Sequence, residues 1–260
     1  METPIFYQDV YDFLESKYEF YNQLSFIETD PIFVPHLYTK KEDIEIAAFL
    51  TATIAWGSRP TIINNAKKLL NLMGDSPHEY IMQFREKDLV VFSDFVHRTF
   101  NGEDCIYFMQ GLKNIYRKHG GLEYLFTENM KGSAASPMNA ISYIRKTFFK
   151  LPHLPRTEKH FSNPEIGSAA KRINMFLRWM VRDDGRGVDF GLWKNISPSK
   201  LMCPLDVHSG RVARKLDLLS RKQDDRKSVE ELTANLRIYD PKDPVKYDFA
   251  LFGLGVFENF

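Results

Sequence analysis

Apolar side chains recur every three to four residues along most of the chain. That spacing places them on one side of an α-helix, and no run shows the strict alternation of a half-buried strand. Short loops with proline or glycine separate the periodic segments. The predicted helices cover residues 7–26, 40–57, 59–74, 76–84, 103–121, 136–150, 167–184, 205–219, 228–239 and 243–260. Residues 151–164 are predicted as a loop, and 187–204 as irregular with short extended pieces. Helices of this length joined by short loops predict an all-α fold.

The composition excludes several classes of protein. The 260 residues are enough to bury a sizeable core, and 43% hydrophobic with 14% aromatic residues exclude a disordered chain. Cys105 and Cys203 are too few for a disulfide framework, so buried thiols in a reducing compartment are expected. No stretch is apolar enough to span a membrane, and the first residues do not resemble a signal peptide. The expected protein is therefore cytoplasmic and has no membrane partner. The sequence leaves its oligomeric state open, and a monomer is favoured.

The charge is balanced in total but not along the chain. The formal net charge is +1, yet residues 150–226 carry 16 lysines and arginines against 9 acids. A basic third of this kind favours a surface that faces a polyanion. The alternative is a solvated charged face without a partner, which charge alone favours.

The common catalytic motifs are absent from the sequence. It contains no phosphate-binding loop, no dinucleotide fingerprint, no paired-cysteine motif and no metalloprotease helix. A metal site can be drawn from His153, His160, Asp206 and His208, but ordinary loop histidines explain them better. We therefore predict no metal, no iron–sulfur cluster and no other cofactor.

Three segments carry the residues of greatest chemical interest. A Pro-x-x-Gly turn runs into a helix that contains Lys171, and Asp206 follows a proline at the start of another helix. Near the end of the chain, Asp248 and Phe252 share a helix face at i,i+4 spacing. Each has a plain structural alternative: a solvated lysine, a helix N-cap, a first-turn acid and a core phenylalanine.

The first two segments resemble the helix-hairpin-helix DNA glycosylases. The stretch "PLDVHSGRVARKL" is similar to that superfamily's "VDTHVxRVxxRL", and the 35 residues between Lys171 and Asp206 resemble the archaeal 8-oxoguanine glycosylases. This resemblance covers residues 42–260, whereas nearly the whole chain resembles an uncharacterised bacterial family of unknown function. The resemblance to the glycosylases implies a single all-α, two-lobed helix-hairpin-helix glycosylase-like domain. Residues 40–150 would form one lobe, and 1–39 with 151–260 the other.

The resemblance also implies roles for particular residues. Lys171 and Asp206 would be catalytic. The substrate-binding positions would be Trp56, Met175, Arg178, His208, Asp248 and Phe252. The nucleic-acid-binding positions would be Gly167, Ser168, Arg172, Arg211 and Arg214, with the hairpin amides on phosphates. This chain departs from the family at the hairpin, where Glu165 replaces a glycine and Lys171 lies four residues after Gly167.

The function implied is base-excision repair of DNA. Lys171 would displace a damaged base, an oxidised purine first of all, through a Schiff base, with Asp206 as its electrostatic partner. One alternative is a nucleic-acid-binding or damage-sensing module without catalysis. Another is the same fold adapted to bind a small molecule or a protein.

Overall fold

The computed structural model describes residues 6–132 and 135–260. The α-helices of these residues are α1 (Gln8–Tyr21), α2 (Leu24–Ile27), α3 (Lys41–Thr53), α4 (Arg59–Asn71), α5 (Pro77–Gln83), α6 (Gly102–His119), α7 (Leu122–Asn129), α8 (Pro137–Phe148), α9 (Lys171–Val181), α10 (Val207–Lys215), α11 (Arg226–Tyr239) and α12 (Asp248–Phe257). Seven short 3-10 helices lie between them, and the described residues contain no β-strand. The all-α prediction is therefore confirmed.

Several predicted boundaries were wrong for identifiable reasons. The helix predicted from residue 167 begins at Lys171, because Gly167 and Ala170 have φ of +93° and +48°, outside the helical region. The helix predicted from Ser228 begins at Arg226, because the Asp225 side chain accepts the capping hydrogen bond. Helix α7 was not predicted, and the segment 187–204, predicted to hold extended pieces, contains no strand.

The fold divides into two compact units. The first comprises the described residues through Phe26, then Ser136–Met138 and Asn163–Phe260. The second comprises the described residues of Ile27–Ala135 together with Asn139–Ser162. The two units differ from the predicted lobes at their edges, because residues 27–39 and 151–162 group with the second unit and Ser136–Met138 with the first.

In the first unit, α12 packs against both α1 and α10. Two glycines of α12 allow these close approaches. A Cβ at Gly253 would collide with the ring of Tyr21 on α1, and one at Gly255 would lie 2.9 Å from the backbone oxygen of His208 on α10. Helix α9 is buried from Ile173 to its end, so its first turn alone reaches the surface.

In the second unit, α3 is the central helix. Its residues from Asp43 onward are buried, and it packs against α4 and α5. The surrounding core contains a cluster of phenylalanines in mutual ring contact: Phe49, Phe100, Phe108, Phe148 and Phe161. Burial of apolar surface is the main favourable term in folding, and these rings contribute a large share of it.

Both cysteines are free and buried, as predicted. Among the described helices, none combines the length and the apolar composition needed to cross a membrane.

Candidate active site

The hairpin that precedes α9 is held by its own hydrogen bonds and by α11. The Asn163 side chain accepts from the amide of Glu165 at 3.1 Å, and the amide of Gly167 donates to Pro164 O at 3.1 Å. The carbonyl of Gly167 accepts from the amide of Arg226 at 2.9 Å, beside an isolated bridge between Ser168 and Asp225. The Ser168 amide also donates within the hairpin. The phosphate role of these amides stays a prediction.

The structure brings Lys171 and Asp206 together. Lys171 is the first residue of α9, four residues after the predicted helix start, and Asp206 is the N-cap of α10, the position predicted for it. The Lys171 Nζ lies 2.9 Å from Asp206 Oδ2, while Asp206 Oδ1 accepts from the amides of His208 at 2.9 Å and Ser209 at 3.0 Å. The two side chains are 29% and 23% exposed, so a substrate can reach the pair.

The surroundings of Asp206 favour its ionised form. Burial opposes ionisation, but the Lys171 ammonium and the two capping amides outweigh it and hold the pKa of Asp206 below its usual value. At neutral pH this carboxylate is therefore a fixed negative charge beside an amine.

Phe252 borders the amine. Lys171 Nζ lies 5.9 Å from the centroid of the Phe252 ring, which itself contacts Phe26 edge-on. Val207 and His208, at the start of α10, are exposed. The site thus joins a positive amine, a negative carboxylate and one aromatic ring at the surface of the first unit.

Behind this site lies a buried cluster of ion pairs that the sequence reasoning missed. Arg178 pairs with Asp189 and Asp248, and Arg182 also bonds Asp189. Arg182 further pairs with Asp184 and Asp243 and donates to the Tyr18 hydroxyl. We call these seven residues the arginine cluster. Four members lie within residues 178–189, but Tyr18, Asp243 and Asp248 come from other parts of the chain, so no local pattern predicts the cluster as a whole.

The arginine cluster contains more carboxyls than guanidiniums. Four aspartates share Arg178 and Arg182, and all are removed from bulk water to a large degree. Burial raises the pKa of Asp248 to about 6, although Arg178 and Lys171 oppose the rise. Burial likewise raises the pKa of Asp243 against the pull of Arg182.

The other predicted residues of the first unit have varied surroundings. Met175, Arg178 and Asp248 are buried, so a base would meet them only after displacing what covers them. Arg172 is half-buried, and burial lowers its pKa to about 10. Arg211 donates to the carbonyls of Phe260 at 3.0 Å and Gly255 at 2.9 Å.

Arg214 is similarly engaged. It donates to the carbonyl of Arg221 at 2.7 Å and forms an ion pair with Asp224 at 2.6 Å. Arg211 and Arg214 therefore hold the C-terminal residues and the α10–α11 loop, and a phosphate would have to share them.

Trp56 belongs to the second unit and lies between two histidines. Its ring stacks on His160 with centroids 5.8 Å apart and meets His97 edge-on at 4.9 Å. His160 is bonded in turn to the fully buried Asp104, which also accepts from Thr157 at 2.7 Å.

The histidines of the possible metal site have other partners. His153 contacts Glu158 at 3.0 Å and the Leu151 carbonyl at 2.7 Å, and His160 contacts Asp104. Within residues 6–132 and 135–260, no three His, Cys, Asp or Glu side chains converge to hold a metal ion.

Fold and site together define an all-α protein with a surface amine–carboxylate pair. Residues 30–257 match the family described as "Protein of unknown function (DUF2400)", and the chain belongs to that family. No curated protein and no solved structure matches the chain.

Proposed function

We propose that this protein is a DNA glycosylase and AP lyase of the helix-hairpin-helix type, acting on an oxidised purine through Lys171. The observation that carries the proposal is the 2.9 Å contact between Lys171 Nζ and Asp206 Oδ2 in an accessible site. A primary amine and an ionised carboxylate are the two groups that Schiff-base chemistry on a sugar requires.

Each group has a defined part in the reaction. The Lys171 ammonium gives up a proton, and the free amine forms a bond to the sugar C1′. The bond from C1′ to the base breaks, and the base leaves with the electron pair and takes up that proton. The C1′–O4′ bond then opens, O4′ keeps the electron pair and takes one proton from the attached nitrogen, and a protonated Schiff base between Lys171 and C1′ remains. The Asp206 carboxylate stabilises the positive charge that develops at the sugar.

The surroundings of the pair suit an extruded nucleotide. Reaching C1′ in a duplex requires the base to leave the stack and rest against an apolar or aromatic surface. Phe252 supplies such a surface beside the amine. The hairpin comes first along the chain, then the helix with Lys171, then the Asp206 N-cap. The glycosylases that this sequence resembles have the same order, which supports the proposed roles of Lys171 and Asp206.

Borohydride trapping tests the proposal. The protein is incubated with duplexes that contain 8-oxoguanine, uracil or an abasic site, and borohydride reduces any Schiff base to a stable amine. We expect a covalent adduct on the 8-oxoguanine strand that is absent in Lys171→Gln. Lys242→Gln is the matched control, because Lys242 is an exposed lysine of the same unit in the loop between α11 and α12.

The outcomes separate the candidate functions. An adduct that persists in Lys171→Gln contradicts the assigned nucleophile. Binding without an adduct, equal in both forms, indicates a non-catalytic nucleic-acid module. No adduct and no binding at low salt overturn the proposal in favour of a repurposed fold.

A further inference from the structure

One face of α6 forms the floor of a surface cavity in the second unit. Gln110, Lys113, Asn114 and Arg117 follow one another at i, i+3, i+4 and i+7, so they lie on the same side of the helix. The opposite side carries the buried residues of α6, among them Leu112 and Ile115. The cavity has a volume of about 510 Å³, within the range of small-molecule sites.

The cavity is positively charged. Lys113, Arg117 and Lys118 line it, and Glu86 alone among the lining residues is acidic. Glu86 accepts a hydrogen bond from Gln110 at 3.1 Å. Within the described chain no carboxylate lies within 4.0 Å of the three cationic groups, so their charge is not cancelled by an ion pair.

Two of the cations are held in place by uncharged acceptors. Lys113 donates to the carbonyl of Phe84, and Arg117 donates to the carbonyl of Met82 at 2.6 Å. These carbonyls belong to the last turn of α5 and its cap, where cations are favourable partners. The bonds fix where the cationic groups point and leave their full positive charge available to a ligand.

The electrostatics around the cavity agree with this excess of positive charge. Partial burial and the Arg117 guanidinium lower the pKa of Lys113, although Glu86 opposes them. Burial together with Lys150 and Lys118 lowers the pKa of His119, the last residue of α6. Cations that crowd one another in this way are stabilised by a bound anion.

The rest of the lining is apolar. Leu151 and Pro152 form a wall beside the charged floor, and the buried Phe84 ring supports the Lys113 ammonium, whose Nζ lies 3.8 Å from the ring centroid. The two amides, Gln110 and Asn114, can donate to and accept from ligand hydroxyl or ring-nitrogen groups. Phosphoryl groups suit the cations, and a flat ring with an apolar face suits the wall.

We infer that this cavity binds a small phosphorylated ligand of mononucleotide size. The phosphate would lie against Lys113, Arg117 and Lys118, and the ring against the wall. The site is separate from Lys171 and does not depend on the function proposed for that residue.

The test uses the whole protein and 5′-AMP as the probe, with adenosine and inorganic phosphate as partial ligands. Binding is read from the rise in Tm and from calorimetric titration, since a ligand of the folded state stabilises it. Asn114→Asp places a carboxylate of nearly the same size as the amide on the floor of the cavity. Asn64→Asp is the matched control, because it makes the same change at an exposed position of α4 outside the cavity.

We expect the native protein to bind AMP more tightly than adenosine or phosphate. Asn114→Asp should bind AMP at least tenfold more weakly than the native protein. Asn64→Asp and Lys171→Gln should bind AMP as tightly as the native protein does. Absence of AMP binding at millimolar concentration overturns the inference. So does equal binding of adenosine, or binding that Lys171→Gln abolishes and Asn114→Asp does not. The AMP-binding results can be interpreted even if no adduct is trapped, because none of them depends on glycosylase activity.

Discussion

The two carboxylate oxygens of Asp206 have different partners. Oδ1 accepts from the amides of His208 and Ser209 and so caps α10, whereas Oδ2 lies 2.9 Å from Lys171 Nζ. The capping bonds fix the rotamer that directs Oδ2 at the amine. One side chain thus serves both the helix terminus and the candidate site, and substitutions can separate these two contributions.

Asp206→Asn is expected to keep the fold and lose the chemistry. Asparagine caps a helix about as well as aspartate, so the free energy of unfolding should fall by no more than about 1 kcal/mol. Loss of the negative charge should slow borohydride-trapped adduct formation on the order of 100-fold. Asp206→Ala is the comparison, and it should cost about 1 kcal/mol more because the cap is lost as well. Trapping rates and urea unfolding measure both effects, and equal trapping by Asp206→Asn and the native chain would exclude an electrostatic role.

The stability difference between the native chain and Asp206→Asn should depend on pH. The pKa of Asp206 is lower in the folded state than its ordinary value of 3.8, so its stabilising contribution is present above pH about 4. That contribution is lost as the pH falls through the lower folded-state value. The difference in unfolding free energy between the native chain and Asp206→Asn should therefore shrink on acidification, and a constant difference would contradict it.

Asp248→Asn should show the opposite pH dependence. Burial raises the pKa of Asp248 to about 6, above its ordinary 3.8, so the folded state holds this proton more tightly than the unfolded state. The contribution is full below pH about 4 and is lost as the pH rises through about 6. Relative to the variant, the free energy of unfolding of the native chain should fall by on the order of 3 kcal/mol between these limits. Urea unfolding across this range measures it, and a flat difference would show that Asp248 stays ionised.

Glu165 opposes an approaching DNA backbone in the glycosylase assignment. It lies exposed in the 3-10 turn of the hairpin, where its charge repels phosphate. Glu165→Gln should tighten duplex binding several-fold at low salt, with a smaller gain as salt rises. Fluorescence anisotropy over a salt series measures this. Asp9→Asn, at an exposed position of α1 in the same unit, is the control for loss of one negative charge, and equal gains from both would point to net charge alone.

Gly255→Ala should disturb the position of α10. The added Cβ would lie 2.9 Å from His208 O, a backbone atom, so α10 must shift and carry Asp206 with it. We expect a loss of about 1–3 kcal/mol in stability and a fall in trapping by the folded protein. Gly253→Ala is the control, because its clash is with the Tyr21 ring on α1. That variant should lose stability and keep its trapping rate per folded molecule, and identical behaviour of the two would refute a positional effect.

Asp104→Asn should destabilise the second unit. The fully buried Asp104 carboxylate accepts from Thr157, His160 and Arg156, so every neighbour is a donor. An asparagine amide group would face one of those donors, and the Arg156 charge would lose its partner. Breaking such an arrangement costs about 3–5 kcal/mol. Chemical unfolding measures it, and a loss under 1 kcal/mol would mean that the donors relax to water.

The helices were predictable because their signals are local. Periodicity placed most of them within a few residues, and Asp206 was recognisable as an N-cap from the helix that follows it. The start of α9 was not, because the left-handed backbone at Ala170 belongs to a residue type that ordinarily continues a helix. Local pattern also placed the cap of α11 at Ser228, although Asp225 holds it.

The site was predictable only where a resemblance reached it. Lys171 and Asp206 were named from a motif, and their contact follows from two helix starts that the motif contains. The arginine cluster carries no such signal, because Arg182 and Asp243 are 61 residues apart and meet only through packing. Arg211 and Arg214 are of the residue type that binds phosphate, but in the fold both guanidinium groups donate hydrogen bonds to backbone carbonyls.

The Lys171–Asp206 contact joins the first residue of α9 to the cap of α10, and α10 is seated on α12 through the glycine at 255. Lys171 and Asp206 are far apart along the chain, so they are in contact only while α9, α10 and α12 are packed together. Under the proposed function, adduct formation at Lys171 therefore reports whether the first unit is folded. On heating, trapped adduct should vanish with the unfolding of the first unit, and proteolytic fragments that lack α12 should be inert even where both residues survive.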